Sequence, residues 1–115
     1  MVTSVGGRGI TDGSGAHIAA IVLMQYNPKL TALMDKRPVS DLLAGMVKGA
    51  QGFTPGKTTV TGHVLSGNQV RLVHSASTSL AMVYLHGGEL IEVIGATPEA
   101  VLSFTGAYLL ARANR

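Results

Sequence analysis

The chain has 115 residues and a mass of 11.9 kDa, with 46% hydrophobic and only 13% charged residues, no cysteine and a formal net charge of +3. That size allows one domain; the composition, with a mean hydropathy of +0.33, excludes an intrinsically disordered chain, and the lack of cysteine excludes a disulfide scaffold, a Cys-ligated zinc site and a thiol nucleophile. A charged fraction near half the usual quarter leaves little charge to cover a small domain's large relative surface, so Gly, Ser and Thr are expected to line part of it and a second subunit to cover part of it.

Residues 1–16 are rich in Gly, Ser and Thr and read as a flexible N-terminal arm, leaving 17–115 as a single domain. Ile18 to Met24 is continuous, apolar and β-branched, which fits a strand buried on both faces; over so short a run a helix turn remains open. Asn27-Pro28-Lys29 reads as a turn and Leu30 to Met34 as the returning strand of a hairpin. Ser40 is placed as the N-cap of a helix over 40–50, with Asp41 at the positive dipole end. Leu42, Leu43, Met46, Val47 and Ala50 form its apolar stripe, and Gly49 and Gly52 its stop.

From Thr58 the texture is β. Gly67-Asn68 predicts one hairpin turn between 58–66 and 69–75, and Gly87-Gly88 a second between 80–86 and 89–94. The second register places Leu80, Met82, Tyr84 and His86 opposite Gly95, Val93, Ile91 and Glu89. Ala81, Val83 and Leu85 then face Ile94, Glu92 and Leu90. Both faces are apolar, so helices on both sides or a symmetric subunit contact must cover them. Thr97-Pro98-Glu99 starts a last helix running to about Arg112. Its apolar band is broad, which adds Leu102, Leu109 and Leu110 to Leu80, Met82 and Tyr84 as the expected oligomer interface.

The chemistry-bearing residues are sparse. Gly52 to Thr58 misses the P-loop spacing by one residue, contains Pro55 and leads into a strand where a helix is required. His63 and His74 would be diagonal neighbours in the first hairpin, but no carboxylate is placed there to complete a metal site. His86 and Glu89 would pair across the second turn. His74 with Ser75, Ser77, Thr78 and Ser79 forms a polar connector, the expected position of a small-ligand site. It lacks the orienting acid that a nucleophile needs. The basic residues are scattered and stacking aromatics few, which argues against nucleic acid. No catalytic residue, cofactor or metal is expected. With no basic stretch leading into an apolar run at the N-terminus, the default expectation is a cytoplasmic protein.

The fold class expected is α+β: an antiparallel sheet of about five to six strands with a middle helix and a long C-terminal helix. Taking Ile18–Met34 as a hairpin, Ser40–Ala50 as a helix, Thr58–Leu85 as strands and Thr97–Arg112 as the last helix, this order resembles the roadblock/LC7 and profilin-like architecture. The Gly-rich arm stands where roadblock domains have a helix, and the strand at 89–94 fits profilin better; no functional residue carries over. The resemblance implies a non-enzymatic domain that associates with itself and presents a surface to a partner protein. A small-ligand-binding protein is the alternative, and a nucleic-acid-binding protein a weaker one.

Overall fold

Asn27 does not turn the chain back as a hairpin; it starts a helix. The computed structural model describes residues 2–11, 17–53, 57–76 and 78–113. Within them the order is β1 (Val2–Thr11), β2 (His17–Tyr26), α1 (Pro28–Met34), α2 (Val39–Phe53), β3 (Thr59–Leu65), β4 (Asn68–His74), β5 (Ser79–Leu85), β6 (Glu89–Gly95) and α3 (Pro98–Ala113). All neighbours in the sheet are antiparallel, in the order β1-β2-β6-β5-β4-β3. The protein is α+β. Among the described residues no helix is long and apolar enough to cross a membrane.

The strand expected at Leu30–Met34 is helix α1. The Asn27 side chain accepts a hydrogen bond from the Leu30 amide at 2.8 Å, and Pro28 takes the first helical position, where its missing donor is harmless. Asn and Pro serve tight turns and helix starts alike, so these two residues do not by themselves distinguish a hairpin turn from a helix start. Helix α2 begins one residue before Ser40, with the Pro38 carbonyl accepting from Asp41 and Leu42, and it runs through Gly49 and Gly52 to Phe53. Helix α3 starts as its sequence dictates: the Thr97 hydroxyl accepts from the Ala100 amide at 3.3 Å.

Residues 2–11 of the expected flexible arm form β1 instead, paired along the whole of β2. Its glycines carry no alternation signal, yet their backbone groups complete the ladder of an edge strand. Residues 12–16 lie outside the described set.

The two turns after α2 decide the register. The first turn is Ser66-Gly67, with φ of 50° and 78°, the two positive values that a tight hairpin turn of this hand requires. The second is the three-residue turn His86-Gly87-Gly88, so Leu80 faces Ile94, Met82 faces Glu92 and Tyr84 faces Leu90. This is one residue away from the register expected of Gly87-Gly88 alone.

Helices cover both faces. Helix α3 seals one, burying Ile21, Val70, Leu72, Val83, Ile91 and Val93 beneath Val101 and Leu109. On the other, α1 and α2 bury Val73, Met82 and Tyr84 beneath Met34, Leu42, Leu43 and Val47. The two-sided apolar hairpin is thus covered by its own chain on the α3 side, and on the other side over β5 more than over β6, where Ile94 stays exposed. Of the expected oligomer interface, Met82, Tyr84 and Leu109 are core residues, Leu80 and Leu102 are half-buried and packed against the two clusters, and only Leu110 is exposed.

Candidate functional site

Helix α2 packs chiefly over β4 and β5 and so leaves sheet uncovered on either side of itself. One strip lies at the β3 edge, where Val60 and Val64 are 39% and 71% exposed. The other lies over β2 and β6, where Val22, Met24 and Glu92 are half-buried and Ile94 is exposed. Alternation puts these residues on one face: Ile21 and Leu23 point to α3, so Val22 and Met24 point to the α2 side.

A single row of paired residues links the two strips. Val22, Glu92, Met82, Arg71 and Gly62 face one another in turn across β2, β6, β5, β4 and β3. Two strand spacings, about 10 Å, separate the Glu92 and Arg71 backbones. Arg71 turns outward: a methyl group at Gly62 would lie 3.4 Å from its guanidinium, so the absence of a side chain there lets the cation rest across the edge strand. One guanidinium nitrogen donates to the Val70 carbonyl at 3.4 Å, and among the described residues Arg71 has no carboxylate partner.

The inner strip deepens into a groove of about 390 Å³ beside α2. Met24, Met46, Met82, Leu80 and Leu90 supply its apolar lining, and Gly49 and Ala50 its α2 wall. Tyr26 and Glu92 are its polar residues. Burial raises the Glu92 carboxyl above the usual glutamate range, and among the described residues it has neither a cation nor a hydrogen-bond donor. The Tyr26 phenol is raised as well, first by burial and then by the charge of Glu92.

Beside this groove, α1 clamps the β5–β6 turn. Tyr84 donates to Asp35 at 2.6 Å, the Gly87 amide donates to both Asp35 oxygens at 3.2 Å, and His86 lies 3.5 Å from the same carboxylate. Gln25 donates to the Gly87 carbonyl at 2.9 Å, and the Tyr26 amide to that of Gly88 at 2.8 Å. The expected His86–Glu89 pair is absent; Glu89 instead takes a two-point contact from Arg112, at 2.6 and 3.0 Å.

Of the connector expected as a ligand site, the described residues are Ser75, Thr78 and Ser79 beside His74. The Ser75 amide bonds the Thr78 carbonyl at 2.8 Å, closing a turn, and Ser79 is fully buried. His74 is half-buried and pairs in the ladder with Thr59 and Ser79; Ser77 lies outside the described residues. His63 pairs with Val70 and sits 2.9 Å from the Thr61 hydroxyl, while His74 pairs with Thr59 at the end of the ladder, so the two are not neighbours. Among the described residues no three metal-ligating side chains come together.

No family model matches the chain, and no curated protein matches it. A solved structure of a Pseudomonas aeruginosa protein of unknown function is similar over 95% of this chain and 79% of that one, with a TM-score of 0.52 at 16% identity. That likeness shows the fold alone.

Proposed function

We propose that this chain is a non-enzymatic protein-interaction domain that receives an extended segment of a partner protein along the edge of β3 that no other strand among the described residues pairs. The observation that carries this reading is the alternation Val60, Gly62 bearing Arg71, Val64 on one face of an edge strand. An edge strand offers unpaired backbone groups, and natural proteins usually guard it with charge, proline or a bulge. Strand β3 is regular over its seven residues and carries none of these within itself. Strand addition draws affinity from the main chain and specificity from alternate side chains. The matching segment therefore reads apolar, acidic, apolar, with its carboxylate on Arg71. A second copy of this chain fits the edge less well, because a two-fold axis at Gly62 would bring two Arg71 guanidiniums together.

The test uses the peptide acetyl-Thr-Val-Thr-Glu-Thr-Val-Thr-amide and its Lys-for-Glu counterpart, titrated against amide resonances of residues 59–65. The Glu peptide should shift them and bind at least about tenfold more tightly than the Lys peptide. Val64→Lys should abolish the shifts with the fold intact. Equal binding of the two peptides, or no shift at about 1 mM, would overturn the reading.

A further inference from the structure

The geometry points to a second site, in the groove beside α2: a binding site for a small organic cation with an apolar body, its ammonium head on Glu92 and its body among Met24, Met46, Met82 and Leu90.

The groove, at about 390 Å³, has the size of a small-molecule site and its usual make-up, apolar walls with a few polar groups. Methionine lines it from three elements, β2, α2 and β5. Unbranched and polarisable, these side chains adapt to ligands of differing shape. The polar element is a carboxylate in an apolar setting. Its ladder neighbours are Val22 and Met82, neither of which can donate a hydrogen bond. The cation on the same row, Arg71, is turned to the opposite edge. A half-buried carboxylate without a partner costs stability, and a cation beside it offsets part of that cost. Tyr26 adds a phenol at the same wall. A neutral apolar ligand would leave the carboxylate unpaired, and an anion would be repelled. The chemistry therefore selects amines over alcohols and acids of the same shape.

The chain's five methionines supply the probes. Protein labelled with 13C at the methionine methyls is titrated with 2-phenylethylammonium, and separately with 2-phenylethanol. The ammonium should shift Met24, Met46 and Met82 but not Met34, which packs in the core outside the groove. It should bind at least about tenfold more tightly than the alcohol, and Glu92→Gln should erase that preference while leaving alcohol binding unchanged. The same variant should melt at a higher temperature than the parent, which keeps loss of binding distinct from loss of folding. Equal affinity for amine and alcohol, shifts confined to other methionines, or an amine preference that survives Glu92→Gln would each overturn the site. Shifts at the three methionines on concentrating the protein alone would place a second copy in the groove and overturn it too.

Discussion

The hydroxyl of Tyr84, in the middle of the sheet, donates to the carboxylate of Asp35 at the end of α1, at 2.6 Å across 49 residues of sequence. The bond ties the short helix to the face of β5 and to the turn that follows it. Tyr84 holds the Asp35 carboxyl below the usual aspartate range; burial opposes this, and the Gly87 amide and the His86 ring reinforce it. A carboxylate whose folded pKa lies below its unfolded value adds stability above that unfolded value. It loses it as pH falls through the folded one. Urea midpoints measured from about pH 5 down to about pH 2 should therefore fall, and Asp35→Asn should flatten the fall.

The same pair has an alkaline signature of opposite sign. The Tyr84 phenol is pushed up to about 12, first by burial and then by Asp35. The unfolded chain ionises this group near 10, so stability is full below about pH 10 and declines between there and about pH 12. Tyr84→Phe should remove that contribution to the decline, read in the same midpoints.

Adjacent glycines of one turn should respond differently. Gly87 and Gly88 both have positive φ, of 102° and 85°. A methyl at Gly87 meets open space, whereas at Gly88 it would collide with the side chain of Thr31. Gly87→Ala should cost about 1 kcal/mol from backbone strain. Gly88→Ala should cost about 2 kcal/mol or more, because the Thr31 side chain must give way as well. Chemical denaturation of the two variants measures the gap.

Ser79 should be better replaced. Its hydroxyl is fully buried and has no partner among the described residues. Ser79→Ala removes that unmet group and should raise stability by about 1 kcal/mol. A loss of stability would mean that the hydroxyl is bonded in solution.

The Arg112–Glu89 contact fastens the last turn of α3 to the start of β6, with Tyr108 accepting a further bond from Arg112 at 3.4 Å. Both side chains are partly exposed, so the pair is worth about 1 kcal/mol at most. Arg112→Lys should lose part of this by breaking the two-point fork, and a double-mutant cycle with Glu89→Gln should show the coupling.

The elements were legible wherever side chains repeat with a period. The stripe at Leu42, Leu43, Met46 and Val47 marks α2, and the Thr97-Pro98-Glu99 start marks α3. The sites were hidden by turn length. In the first hairpin the turn sits earlier than Gly67-Asn68 implies, and the ladder moves by an even number of residues. Every side chain keeps its face, although His63 loses His74 as a neighbour. In the second, one extra turn residue moves all of β6 to the other face. That single step takes Glu92 from beside Val83 to beside Met82, into the groove. No residue in the turn announces it; the contacts of the turn run to Asp35 and Gln25, partners distant in sequence. Strand β1 was illegible for another reason: pairing along its backbone does not depend on side-chain pattern.

The strand order also sets when the molecule can assemble. The β3–β4, β4–β5 and β5–β6 ladders join consecutive strands, so residues 59–95 can zip locally. Strand β2 instead pairs with β6 over Ala19–Gln25 and Glu89–Gly95, across the whole middle of the chain. Closing so long a loop is slow, so the β1–β2 hairpin, itself local, docks onto the sheet after the other ladders have formed. On a ribosome, Ile21 and Leu23 would emerge before β6 and α3 and remain uncovered until both appeared, so that interval is when this chain is most exposed to aggregation.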